Sequence, residues 1–246
     1  MNLKETVYQD SKIYYKSDID YPILIREIFE EEIYKFESAK EKPFIVDCGS
    51  NIGISVLYFK KLFPKAEIIA FEPDPDNYEL LLKNIEVNNL KDITAYNLAL
   101  SDKVGEVDLF YESDKSSTIG NTTDPQWGDR KDFIKLSVKS DKLSEYIADK
   151  DIDFLKLDVE GVEYQVFQDI KSSLPKVENL AFEYHHTNAT DDTEKYNFIL
   201  DLLREEHFAL TIDTIAMDFM PEKYKAWLDT YKPSLSFVIG KKYEQK

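Results

Sequence analysis

Apolar residues in this chain follow two periods, and the points where one gives way to the other mark its elements. From Tyr21 to Phe36 they recur at helical spacing (Ile25, Ile28, Phe29, Ile33, Phe36) among Arg and Glu after Pro22, which predicts an amphipathic helix covering the rest of the fold. Pro43-Phe44-Ile45-Val46-Asp47 is a short apolar run ending in a turn rich in Gly and Asn, and Ile54 to Phe63 then takes up helical periodicity. The same unit follows again: Glu67 to Phe71 reads as a strand, Asp76 to Asn89 as a helix and Ile93 to Ala99 as a strand. Strands alternating with helices predict a parallel sheet with both faces covered.

Between Val104 and Leu143 the rhythm changes. Val107 to Tyr111 and Phe133 to Val138 alternate as strands around a polar segment, Glu112 to Lys131, of a length usually reserved for lids or binding elements. Alternation resumes with a short helix at Leu143 to Ile147, a buried strand at Ile152 to Leu157, a helix at Val162 to Ile170 and a strand at Asn179 to Glu183. A strongly periodic helix at Thr193 to Glu206 precedes strands at Ala209 to Thr214 and Leu235 to Ile239, with Pro221 to Tyr231 as a peripheral helix between them. This organisation predicts an N-terminal helical extension, residues 1–40, packed on an α/β core domain, residues 41–246.

Composition narrows the function. With 246 residues, 43 % of them hydrophobic, the chain can bury one substantial core. A formal charge of -17 disfavours nucleic acid, whose phosphates are bound by clustered Lys and Arg. The single Cys48 cannot form an intrachain disulfide, Met1 to Lys12 lacks the apolar core of a signal peptide, and no stretch approaches the roughly 20 apolar residues of a bilayer span. The expectation is a cytoplasmic enzyme without a membrane partner; the pattern is silent on oligomeric state.

Asp47-Cys48-Gly49-Ser50-Asn51-Ile52-Gly53 sits where a strand turns into a helix. Glycines let the backbone bend and approach a ligand, and the helix N-terminus offers unpaired N–H groups. Glu72-Pro73, at the end of the next strand, places a carboxylate where it can accept hydrogen bonds from both hydroxyls of a ribose. A dinucleotide site would show G-x-G-x-x-G, but the second glycine position is Asn51 and an acid precedes the turn. Asp47 would repel a pyrophosphate and attract the ammonium and sulfonium of S-adenosylmethionine. At the end of the third strand, in Ala99-Leu100-Ser101-Asp102, Leu100 can pack on adenine and Asp102 accept from its amine. Expected cofactor contacts are therefore Asp47, Gly49, Ser50, Asn51, Gly53, Glu72, Pro73, Leu100, Ser101, Asp102 and Asp158. The plainer alternative is a glycine pair that merely shapes a turn.

Two further strand ends carry candidate chemistry. In Leu157-Asp158-Val159-Glu160-Gly161, Asp158 can face the methionyl end of the cofactor and Glu160 the acceptor; the alternative for Glu160 is an acid that favours a helix dipole. Phe182-Glu183-Tyr184-His185-His186 holds two of the chain's 3 histidines. His185 is the expected general base for deprotonating an acceptor hydroxyl, with Glu183 on the same side of the strand. Asp158, Glu160, Glu183 and His185 match no dedicated metal spacing, so no metal is expected. Trp127 on the polar loop is a candidate cover for the substrate, and His207 reads as structural.

Together these segments resemble the FkbM family of class I S-adenosylmethionine-dependent methyltransferases, over roughly Tyr21 to Gly240. The likeness is carried by Val46 to Gly53, Phe71-Glu72-Pro73, Ala99 to Asp102 with Gly105, and above all Leu155-Lys156-Leu157-Asp158-Val159-Glu160-Gly161-Val162-Glu163. It implies a Rossmann-like, doubly wound, mostly parallel seven-stranded sheet with a reversed final strand. It also implies cofactor binding at Asp47, Gly49, Asn51, Glu72 and Asp102, and usually O-methylation by tailoring enzymes of sugars, polyketides or peptides. Ser50 and Val162 stand where the family commonly has Ala. A second reading is a non-catalytic module that keeps the cofactor as scaffold or sensor; a nicotinamide oxidoreductase is third, against the glycine spacing.

Overall fold

The computed structural model describes residues 2–112, 119–125, 133–186, 192–216 and 234–243. Trp127, most of the Glu112 to Lys131 loop and the expected helix at Pro221 to Tyr231 lie outside the described residues. In chain order the elements are β1 (Lys4–Tyr8), β2 (Ser11–Tyr15), α1 (Asp20–Ile25) running into a π-helical turn (Arg26–Glu30), β3 (Phe44–Cys48), α2 (Ile54–Leu62), β4 (Glu67–Phe71), α3 (Pro75–Val87), β5 (Ile93–Tyr96), β6 (Ala99–Leu100), β7 (Gly105–Glu112) and β8 (Phe133–Asp141). There follow α4 (Ser144–Ile147), β9 (Ile152–Leu157), α5 (Glu163–Asp169) with a 3₁₀ turn (Lys171–Lys176), β10 (Val177–His186), α6 (Asp192–Glu205), β11 (Phe208–Ala216) and β12 (Ser234–Lys242).

Seven strands form the central sheet in the order β11-β12-β10-β9-β3-β4-β5. Pairing is parallel from β10 through β9, β3 and β4 to β5, while β12 runs antiparallel to both β10 and β11. The doubly wound sheet with its reversed last strand is therefore present. Val46 and Cys48 of β3 join the apolar layer containing Leu155, Leu157, Phe167 and Leu203, and Ile45 joins the opposite layer with Phe59, Leu81 and Phe154. Alternating side chains thus bury both faces, the condition under which a parallel sheet persists. Among the described residues, no helix is long and apolar enough to cross a membrane.

Three departures from the sequence pattern have local causes. The first residues form a hairpin, β1–β2, whose turn residues Gln9 and Asp10 both have positive φ (44° and 70°), the backbone of a two-residue hairpin turn without its usual glycine. The expected helix at Tyr21 to Phe36 ends at the π-helical turn, and Glu32, at φ 52°, has a left-handed backbone that a right-handed helix cannot continue through. The strand expected at Ile93 to Ala99 splits at Asn97, whose Nδ2 donates to the carbonyls of Glu72 (2.9 Å) and Pro73 (3.1 Å). Ala99–Leu100 then joins a separate three-stranded sheet, β6-β8-β7, that contains the inserted hairpin.

Asparagines latch the N-terminal hairpin to the domain. Asn84 of α3 accepts from Tyr14 N (2.7 Å) and donates to Tyr14 O (3.0 Å) and Ile52 O (2.8 Å), and Asn88 bonds both backbone groups of Lys12. Asn84 therefore ties the hairpin to the glycine-rich turn as well.

Candidate active site

Strand order reverses between β3 and β9, which leave their helices on opposite sides, and the ends of these neighbours open the crevice where doubly wound sheets bind ligands. The turn after β3 is fixed by its neighbours. Gly49 N and Ser50 N both donate to Phe71 O (3.0 and 2.9 Å), Ser50 Oγ donates to Asp47 O (3.0 Å), and Gly53 N closes onto Ser50 O (2.8 Å). Gly49 must be glycine: its φ is +83°, and an added Cβ would lie 1.9 Å from the Asp158 carbonyl oxygen.

One end of the cleft is lined by Gly49, Ser50, Asn51, Glu72, Pro73 and Leu100. Glu72 is 4 % exposed and accepts from Asn51 N (2.8 Å) and Asp74 N (2.9 Å). Burial pushes its carboxyl up to about 8, against these hydrogen bonds. Asn51, with φ 46°, thus offers its backbone to the acid that was expected to hold a ribose.

The other end brings together Asp158, Glu160 and Glu183 with Glu27 and Tyr34 of the N-terminal segment. Burial, then Asp158, push Glu183 up to about 8, and the Tyr34 hydroxyl lies 3.5 Å from its Oε1. His185 is 5 % exposed and held between two carboxylates: Nε2 lies 2.9 Å from Glu160 Oε2 and Nδ1 2.8 Å from Glu163 Oε1. Burial works against the charged ring, but Glu160 and Glu163 outweigh it and hold His185 well above its ordinary value. Asp158, Glu183 and His185 each bring one ligand atom within 4.8 Å of the others, and the imidazolium supplies positive charge to this cluster.

A strap of residues 119–125 crosses the cleft. Gly120 N donates to Glu160 Oε1 (2.9 Å), Thr122 Oγ1 to Glu160 O, and Asn121 Nδ2 to Asp74 Oδ2 (2.8 Å), while Ile119, Asn121 and Thr123 line the cavity.

A family model described as the methyltransferase FkbM domain matches residues 47–210, from the acid before the glycine turn to β11. The chain belongs to the FkbM methyltransferase family. It is similar to methyltransferase sdnD of Sordaria araneosa, at 32 % identity over 198 residues, 69 % of this chain and 76 % of that protein. It is also similar to the 2-O-methyltransferase NoeI of Sinorhizobium fredii, at 29 % identity over 179 residues, 67 % of this chain and 72 % of that one. The crystal structure of methyltransferase FkbM from Methylobacillus flagellatus KT aligns with a TM-score of 0.49 at 18 % identity, covering 85 % of this chain and 46 % of that one.

Within this FkbM domain, Gly49, Ser50, Asn51, Glu72, Pro73, Leu100, Asp158, Glu160 and Glu183 line one cavity. Four expectations need correction. His185 does not line it, and a charged ring with both nitrogens engaged cannot take a proton as the expected base. Asp47 is fully buried behind the turn, its Oδ2 accepting from Ser55 Oγ (2.6 Å), so it acts on the cleft through its field. Ser101 and the exposed Asp102 line a neighbouring groove with Lys103 and Glu106, because β6 peels away from the central sheet. Gly53 supplies the left-handed entry to α2, against Leu81, and no cleft wall.

Sequence reasoning gave no role to Glu163, Lys156, Glu27 or Tyr34. The usable signals were a charged residue inside the buried run Ile152 to Leu157 and a second acid two residues after Gly161.

Proposed function

We propose that this methyltransferase takes its methyl group from S-adenosylmethionine and delivers it to an oxygen, a hydroxyl or carboxylate, of a small or peptide biosynthetic product. The observation that carries this reading is the single cleft joining the Gly49–Asn51 turn and Glu72 to Asp158, Glu160 and Glu183. The chemistry of the site fits the donor. Asp158 lines the cleft and its buried Oδ1 has no hydrogen-bond partner, an acceptor beside the turn that suits an ammonium group, with Asp47 adding its field from behind. Glu72 would hold the ribose, and Pro73 and Leu100 the adenine. The name of NoeI, a 2-O-methyltransferase, supports an oxygen acceptor.

Bound S-adenosylmethionine supplies an electrophilic methyl group. Glu183, raised to about 8, is suited in its ionised form to accept the proton that a hydroxyl acceptor loses. Glu160, fixed by His185 and Gly120 N, orients the acceptor, and Glu163 positions the ring. A carboxylate acceptor would need orientation only.

Calorimetry with S-adenosylhomocysteine tests the donor. Wild type is expected to bind; Glu72→Ala should weaken binding about tenfold through the lost ribose hydrogen bonds, and Gly49→Arg should weaken it by a steric clash with the Asp158 backbone. Binding of NADH in its place would overturn the reading. Incubating candidate acceptors with the donor, followed by mass spectrometry, locates the methyl.

A further inference from the structure

A buried cation sits where a positively charged ligand is expected. Lys156, on β9, is 3 % exposed and lines the cleft. Its Nζ donates to Gly49 O (2.8 Å) and lies 3.3 Å from Cys48 O, 3.4 Å from Asp158 Oδ2 and 3.6 Å from Asp47 Oδ1. One ammonium therefore holds the carbonyls of the glycine turn and the acids of two adjacent strand tips.

We propose that Lys156 is a positioning residue for the methyl donor: it clamps the Gly49 turn and holds Asp158 at the cleft wall through one carboxylate oxygen, leaving the other to meet the donor's ammonium group. This rests on the donor reading above. A buried carboxylate with other acids around it takes up a proton when no cation is near, and its attraction for an ammonium then vanishes. Burial raises Asp158, and Lys156 is the largest influence pulling it back. Burial also works against the ammonium, and Asp158 and Asp47 more than reverse this.

Other titratable groups face the trio from each packed element. Cys48 comes from β3, Glu183 and His185 from β10, Glu160 and Glu163 from the segment after β9, and Glu27 and Tyr34 from the N-terminal segment. These groups give wild type a pH dependence of its own, so the test compares slopes.

Lys156→Gln keeps a hydrogen-bond donor within reach of the Gly49 carbonyl and removes the charge. Calorimetry with S-adenosylhomocysteine between roughly pH 6 and 8 is expected to show affinity about tenfold below wild type at neutrality. Its pH dependence should be steeper by up to about one decade per pH unit, weakening toward acid, because an acid must shed a proton before it can receive the ammonium. Adding Asp158→Asn to Lys156→Gln replaces the ion pair with two amides and should remove the extra slope while affinity stays low. Should the single variant fail to fold, wild-type affinity in this double variant overturns the proposal. A Lys156→Gln protein with wild-type affinity, or weakened without added slope, also overturns it, leaving the donor reading intact. Wild-type protein that does not bind S-adenosylhomocysteine overturns both.

Discussion

Replacing Gly49 and Gly53 separately by alanine isolates the close approach of β3 and β9 from backbone strain. Both glycines are left-handed, at φ +83° and +88°, so each alanine carries a similar conformational cost of roughly 1–2 kcal/mol. The surroundings differ. At Gly53 the new Cβ lies 2.7 Å from Leu81 Cδ1, the end of a side chain that can rotate away. At Gly49 it lies 1.9 Å from the Asp158 carbonyl oxygen and 3.0 Å from its carbon, so ordinary contact at 3.4 Å requires the backbone to retreat by 1.5 Å. That backbone is held by Asp158 N donating to Cys48 O at 3.1 Å. Overpacking against an unyielding neighbour adds about 1–3 kcal/mol, toward the upper end here. Gly49→Ala should therefore destabilise by about 3–5 kcal/mol and Gly53→Ala by about 1–2 kcal/mol. Urea unfolding followed by circular dichroism reads the difference, and S-adenosylhomocysteine calorimetry should show Gly49→Ala as the weaker binder. Equal destabilisation of the two variants would refute the reasoning.

Methyl transfer to a hydroxyl acceptor should rise with pH and level off above about pH 8 as Glu183 loses its proton, and Glu183→Gln should flatten that limb; a wild-type profile without a limb near 8 contradicts the assignment. His185→Ala leaves Glu160 and the 1 % exposed Glu163 without their cation and should cost about 3–5 kcal/mol. Because the folded His185 is raised, its contribution is complete below the unfolded value of about 6.5 and is lost only as pH climbs through the folded value. Thermal melts at about pH 6 that do not separate wild type from His185→Ala would disprove this. Asn84→Ala removes the latch between α3, β2 and the glycine turn; a loss of about 2–3 kcal/mol is expected, with faster amide exchange over residues 4–15, and unchanged protection there would exclude the latch.

The central sheet was legible because its strands are buried on both faces and read as short apolar runs between helical periods. The β1–β2 hairpin was not, since Gln9-Asp10 takes a turn that sequence patterns recognise by glycine. Periodicity also carried the first helix past Glu32, where apolar spacing continues and backbone geometry does not. Within the site, Glu72 and Asp158 could be placed because topology fixes where parallel strands end. The state of His185 could not, because its second carboxylate stands 22 residues away and meets it only through the packing of α5 on β10. Lys156 was hidden for the same reason: its partners belong to two strand tips that are distant in sequence and adjacent in the sheet.

The match to the family model begins at residue 47, whereas Leu24, Glu27, Ile28 and Tyr34, which line the same cavity, come before it. They follow a hairpin that Asn84 and Asn88 hold to α3 and, through Ile52 O, to the glycine-rich turn. On the proposed function, this segment adds a wall to an acceptor end whose other groups, Glu160 and Glu183, lie within the family match. Exchanging the opening forty or so residues is therefore expected to change which acceptors the cleft admits while Glu160 and Glu183 stay in place.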